Sequence, residues 1–260
     1  MKKIHFAAAN GFPTRSYEYL FSKMEFAQID YINLIGHKPS NNKADHGFLK
    51  DELIEHLDKN FSEPVIGIGH SAGGATLMIA ASERPELFER IILIDPPLFS
   101  ARKRLGLRIA RALGIWQRFG PVRKAANRRT TFASKEEAYQ YWKDKPLFKN
   151  FHKACFASYI EHGLKNSEKG VELSFLASVE ADIFRNLVVN FPNKMSHIKA
   201  TLIFANNGDL LWDSDLAWWR KKHPNFELVG FEGRHLFPFE QPDETAVLLE
   251  RLCQQSYEPV

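Results

Sequence analysis

At 260 residues, 44% apolar and 25% charged, the chain is long enough for one large domain, or for one domain carrying an inserted subdomain, with a core that needs no covalent staples. Two cysteines, Cys155 and Cys253, exclude a disulfide scaffold; no Cys/His cluster has zinc spacing, and the scattered Pro and Gly exclude collagen-like and low-complexity readings. The net charge of +4 is local: residues 101–135 carry 11 Lys/Arg and no Asp or Glu, and the rest of the chain is net negative.

In chain order, Ile4–Ala9 reads as a strand stopped by Asn10-Gly11 and Pro13. The basic Met1-Lys2-Lys3 is followed by an apolar stretch broken at His5, shorter than the roughly 7–15 residues of a signal h-region. Nothing approaches the roughly 18 apolar residues of a membrane span, so a soluble, cytoplasmic protein with free thiols is expected. Residues 16–24 are helix-like, and a second strand lies within Phe26–Ile35. Asp45–Asn60 shows Phe48, Leu49, Leu53 and Leu57 at the helical period. Pro64–Gly69 is a third strand, Ala72–Ser82 a helix and Ile91–Ile94 a fourth strand. Apolar runs without alternation, separated by helices, predict a mostly parallel sheet buried on both faces.

From Pro97 to about Ser196 the rhythm breaks into an aromatic-rich stretch that reads as mostly helical. It resumes with a strand at Thr201–Ala205, a helix near Asp215–Lys222, a strand at Phe226–Val229 and a last helix after Pro242. The expected organisation is therefore an α/β core built from residues 1–96 and 197–260, with residues 97–196 inserted between them.

Gly69-His70-Ser71-Ala72-Gly73 falls between the third strand and its helix and holds a G-x-S-x-G pattern. A strand that turns at once into a helix lifts its apex hydroxyl above the sheet, and flanking glycines let backbone pack close. The pentapeptide alone fits an N-cap serine equally well. A serine needs a base, and His235, after the last strand, stands at the carboxyl edge where open α/β sheets bind ligands. His70 reads as packing or pocket wall. The imidazole needs an acid: Asp209, after the strand at 201–205, is favoured, with Asp95 at the end of the fourth strand as its rival. Asp213 and Asp215 fit the start of the next helix better. For an oxyanion hole, the backbone N–H groups of Ala72 and of Phe12, in Asn10-Gly11-Phe12-Pro13, are the candidate donors.

With these residues in view, the chain resembles the α/β-hydrolase superfamily, in its capped esterase/lipase and dehalogenase-like branch. The matching stretches are Asn10–Pro13, Gly69–Gly73, Asp95-Pro96, Gly208-Asp209 and Gly233–Pro238. The resemblance implies an α/β-hydrolase fold with a helical cap over the site, Ser71 as nucleophile, Asp209 as acid, His235 as base, and Phe12 and Ala72 as oxyanion donors. It also implies that no metal or organic cofactor is needed. Three departures stand out. Asn10 replaces a common His, the chain opens on the oxyanion-loop strand so that the family's first two strands are missing, and the nucleophile is Ser rather than the Asp of dehalogenases and epoxide hydrolases.

The expected activity is cleavage of a small or medium acyl ester. Thioester or C–C cleavage, or lyase chemistry, with the same residues is the alternative, and a non-catalytic ligand-binding protein the less favoured one. Most of the insertion's aromatics, among them Trp116, Phe132, Trp142, Phe148, Phe151 and Tyr159, are expected in the cap's own core. In residues 102–119, Leu105, Ile109, Ala112, Leu113 and Trp116 fall at helical spacing, with Arg104, Arg108 and Arg111 on other faces. This reads first as a solvated cap helix, and second as a surface for anionic substrate or membrane. No nucleic-acid motif accompanies the charge.

Overall fold

A computed structural model of the chain describes residues 1–38, 45–118, 120–188, 195, 198–208 and 210–255. The first half of the core runs β1 (Lys2–Ala7), α1 (Glu18–Ser22), β2 (Ala27–Asp30), α2 (His46–Asn60), β3 (Val65–His70), α3 (Ala72–Glu83) and β4 (Phe88–Ile94). The segment between β4 and the next core strand holds α4 (Ala101–Ala112), α5 (Ile115–Arg118), α6 (Gly120–Ala126), β5 (Thr131–Phe132), α7 (Lys135–Trp142), α8 (Lys153–His162), β6 (Leu164–Ser167), β7 (Gly170–Leu173) and α9 (Ala177–Arg185). The core resumes with β8 (Ala200–Ala205), α10 (Asp213–Lys222), β9 (Phe226–Phe231), α11 (Phe237–Glu240) and α12 (Pro242–Gln254).

Six strands form one sheet in the order β2-β1-β3-β4-β8-β9, with every pairing parallel. Its strands bury both faces because side chains alternate. Ile4, Phe6, Ile66, Ile68, Ile92, Ile94 and Ile203 pack with Leu20 of α1 and Leu249 and Leu252 of α12. Ala7, Val65, Ile91, Leu93 and Leu202 face the other way, onto Leu53, Leu57, Leu77, Met78 and Trp219 from α2, α3 and α10. The strand order reverses between β1 and β3, the kind of place beyond whose carboxyl ends open α/β sheets bind ligands.

The inserted segment is less purely helical than its sequence suggests: β5, β7 and β6 form a small antiparallel sheet. These strands are two to four residues long, and Leu164–Ser167 is mostly polar, so no apolar run marks them. A hairpin needs only a turn, and Gly170, at φ 121° and with the Phe132 and Ala133 carbonyls against its Cα, makes that turn. Of the insertion's aromatics, Phe132, Trp142, Phe148, Phe151, Phe156 and Tyr159 are buried in a core continuous with the main one, while Trp116 is half-buried and Tyr139 and Tyr141 are exposed. Phe151 stacks on Phe239 at 4.8 Å, Phe12 on Phe239 at 4.9 Å, and Tyr159 lies 5.4 Å from Phe12. Among the described residues, no helix is long and apolar enough to cross a membrane.

Candidate active site

Ser71 joins β3 to α3 with φ 54° and ψ −121°, the sharp turn that the strand-to-helix junction requires. Its N–H donates to the Ile94 carbonyl at 2.8 Å, which ties the turn to the end of β4. A Cβ on Gly69 would lie 2.7 Å from the Gly74 Cα, and one on Gly73 would lie 2.3 Å from the Ala7 carbonyl oxygen. Both glycines are there because backbone occupies the space a side chain would take.

The structure brings Ser71, His235 and Asp95 together. Ser71 Oγ lies 3.0 Å from His235 Nε2, and His235 Nδ1 lies 2.6 Å from Asp95 Oδ2. Asp95 is buried, its other oxygen accepts the Ala205 N–H at 3.2 Å, and its own N–H donates to the Ile203 carbonyl at 2.7 Å. Like Ser71, Asp95 has a positive φ, 39°, so both residues occupy a conformation that non-glycine residues rarely adopt. A carboxylate accepting at Nδ1 places the imidazole proton there and leaves Nε2 as an acceptor for the serine O–H. The partner of His235 is thus Asp95, the rival in the sequence reading. Asp209, favoured there, lies outside the described residues. Asp213 begins α10, and the buried Asp215 accepts from Ser100 N at 2.7 Å and Trp212 N at 3.1 Å, a helix-start role.

Of the two candidate oxyanion donors, Ala72 is the first residue of α3, so its N–H has no carbonyl one turn back to meet. Phe12 differs from expectation: its N–H donates to the Ala9 carbonyl at 3.3 Å, closing a tight turn through Gly11 at φ 83°. That bond is long, and the loop sits beside the nucleophile because the Ala7 and Ala8 carbonyls press on Gly73. Asn10, in place of a His, donates from Nδ2 to the Glu180 carbonyl in α9 at 2.9 Å, while its buried Oδ1 finds no donor among the described residues. The Glu180 carboxylate covers Gly11 and pairs with Arg128 at 2.6 Å, and Arg128 also donates to the Tyr159 hydroxyl at 2.9 Å. Burial opposes the charge on Arg128, but Tyr159 and Glu180 outweigh it and hold the guanidinium above its usual range.

His70 does more than pack. It is fully buried, its Nδ1 meets the Tyr17 hydroxyl at 2.7 Å, and its Nε2 meets the His235 carbonyl at 2.9 Å. Tyr17 in turn accepts the Ala9 N–H at 3.2 Å. One chain of hydrogen bonds therefore runs from Ala9, in the stretch that leads to Phe12, through Tyr17 and His70 to the backbone of His235. The signal was present as a histidine beside the nucleophile, but the sequence offers nothing to pair it with a tyrosine 53 positions away.

Burial, reinforced by nearby His235, pushes His70 down to about 3, and burial pushes His46, whose Nδ1 meets Thr76 Oγ1 at 2.9 Å, down to about 4. Both are neutral when folded near neutrality. Unfolded, each takes a proton near its ordinary value of about 6.5, so stability is full above that pH and is lost as pH falls toward the folded values. Lowering the pH from about 7 to about 5 is expected to cost on the order of 2 kcal/mol per histidine. Urea midpoints measured across that range check it, and His46→Gln should lessen the loss by about 2 kcal/mol.

No bound metal is implied by the site residues. Elsewhere, His5, Asp30 and His56 each offer a ligand atom within 4.8 Å of the others. Asp30 Oδ2 accepts from both rings, at 2.7 and 2.8 Å. Burial alone would raise the Asp30 carboxyl, but the two histidine hydrogen bonds outweigh it and hold it below the usual carboxylate range. These three groups satisfy one another.

A family profile described as the alpha/beta hydrolase family matches residues 8–248. The chain is 26% identical over 206 residues to Lipase LipV of Mycobacterium tuberculosis, a match covering 76% of this chain and 71% of the lipase. Among solved structures, it is similar to E-2-(acetamidomethylene)succinate hydrolase, with a TM-score of 0.78 at 15% identity, covering 98% of this chain and 91% of that one. It is also similar to the thioesterase domain from the curacin biosynthetic pathway, with a TM-score of 0.72 at 14% identity, covering 96% and 91%. At such identities the two structures speak for the fold. The parallel sheet with its strand order, the positive-φ serine between β3 and α3, and a profile match over nearly the whole length agree: the chain belongs to the alpha/beta hydrolase family.

Proposed function

We propose that the protein is a serine hydrolase that cleaves small or medium acyl esters through an acyl-enzyme, with Ser71 as nucleophile, His235 as base and Asp95 as acid. The observation that carries this reading is the continuous hydrogen-bonded line from Ser71 through His235 to Asp95, at 3.0 and 2.6 Å. The likeness to a lipase supports an ester over the other bonds that this family cleaves.

In this reading Ser71 Oγ attacks the carbonyl carbon as its proton passes to His235 Nε2, and Asp95 stabilises the imidazolium. The carbonyl oxygen becomes negative and is met by the Ala72 N–H at the amino end of α3, whose dipole favours the charge. The Phe12 N–H exchanges its long bond to Ala9 for the oxyanion; one such donor is worth roughly 2.7–4 kcal/mol in the transition state. His235 then protonates the leaving alcohol, and water activated by the same nitrogen releases the acid.

A fluorophosphonate probe followed by peptide mapping tests the assignment. Labelling is expected on Ser71 and is expected to vanish in Ser71→Ala with the circular dichroism unchanged. A parallel panel of p-nitrophenyl esters and acyl thioesters should show turnover of the esters. Labelling at another residue would refute the nucleophile. Probe reactivity without ester turnover would leave the nucleophile and move the substrate to thioesters or C–C bonds.

A further inference from the structure

Helix α4 is oriented in reverse of an ordinary surface helix. Its cationic side chains turn toward the protein: Arg111 donates to the Leu187 carbonyl at 2.5 Å, the Arg104 guanidinium lies 5.0 Å from the Trp218 ring centre, and Lys103 donates to the Leu210 carbonyl at 2.7 Å. Leu107 packs inward against the core, but most of the helix's large apolar side chains turn outward. Leu105, Ile109 and Leu113, spaced four residues apart on one stripe, are 54%, 51% and 67% exposed, and Ile115 at the start of α5 is 47% exposed. No residue of α4 is buried, so packing does not explain the stripe. Three large apolar side chains exposed along one helix stripe, with Ile115 exposed just beyond it, make a patch of the kind that marks an interaction site.

Charge decides what covers it. Arg102 and Arg108 flank the stripe and are exposed, as are Arg118, Arg123 and Lys124 just beyond it, and no acidic residue occurs from 101 to 135. A second copy placed symmetrically on this face would bring two wholly basic segments together, which like-charge repulsion opposes. An anionic bilayer surface matches both features: acyl chains accept the apolar stripe, and each Lys or Arg near the headgroups contributes about 1 kcal/mol. A helix of this length would lie flat in the interface rather than enter the bilayer.

We propose that the exposed face of α4, continued through Ile115, docks the protein on an anionic lipid surface. This rests on the helix alone and does not depend on the hydrolase assignment.

Sedimentation with vesicles tests it. The full chain is expected to bind vesicles of phosphatidylcholine mixed with phosphatidylglycerol, to bind pure phosphatidylcholine far less, and to be released by high salt. The variant Leu105→Ser/Ile109→Ser/Leu113→Ser should bind at least about tenfold more weakly, with thermal stability and turnover of a soluble ester unchanged. Arg102→Gln/Arg108→Gln should weaken binding chiefly at low salt, and Ser71→Ala should bind like the parent chain. Failure to bind the anionic vesicles, or equal binding by the triple serine variant, would overturn the proposal. A dimer in sedimentation velocity that the triple variant abolishes would do so too, by assigning the face to a second copy.

Discussion

Replacing Asp95 by Asn is expected to lower kcat for an ester substrate by about four orders of magnitude, roughly 5 kcal/mol of transition-state stabilisation, with the fold intact. The reason lies in the two bonds of its carboxylate. Oδ1 accepts the Ala205 N–H, so an asparagine keeps its carbonyl oxygen there and turns its NH2 toward His235 Nδ1. That nitrogen must then accept, the ring proton moves to Nε2, and Nε2 can no longer take the proton of Ser71. Steady-state kinetics of Asp95→Asn beside Asp209→Asn checks it: the second variant should stay within about fivefold of the parent, since His235 already has its carboxylate. The opposite ranking would return the acid to Asp209.

Gly73→Ala is expected to abolish most activity and to lower stability by more than about 3 kcal/mol, several degrees in Tm for a chain of this size. The added methyl carbon would stand 2.3 Å from the Ala7 oxygen and 2.5 Å from the Ala8 oxygen. These are backbone atoms of β1 and of the loop after it, so no side-chain rotation relieves the clash. The loop that presents Phe12 must retreat, and the candidate oxyanion donor goes with it. Gly106→Ala in α4 is the control. Nothing lies within 4 Å of its added carbon, and the substitution should stabilise the helix by up to about 1 kcal/mol. Thermal melts and ester kinetics on both variants separate close approach from a general intolerance of glycine substitution.

The core was legible because most of its strands carry short apolar runs separated by helical patterns, as expected of a parallel sheet covered on both sides. Ser71 and His235 were legible because each follows a strand and so falls at the same edge of that sheet. The acid was not. β4 and β8 are paired neighbours and an aspartate follows each in the sequence, Asp95 and Asp209, so chain position does not rank the two. The 2.6 Å contact with His235 makes Asp95 the candidate among the described residues, which do not include Asp209. The cap hairpin escaped for a different reason: antiparallel strands of two to four residues are held by backbone pairing and a glycine turn, without a hydrophobic run to announce them. The orientation of α4 escaped as well, since a helical period says which residues share a face but not which face looks outward.

Glu180 leans on the loop before Phe12 twice, through its carbonyl on Asn10 and its carboxylate over Gly11, while Arg128 and Tyr159 brace it from behind. Helix α9 therefore cannot swing away without releasing Asn10 and uncovering Gly11, so the seat of α9 and the shape of the loop before Phe12 form a single mechanical coordinate. If that loop meets the oxyanion as proposed, an acyl group that unseats α9 would be discriminated against at the chemical step rather than at capture, with selectivity written in turnover more than in affinity.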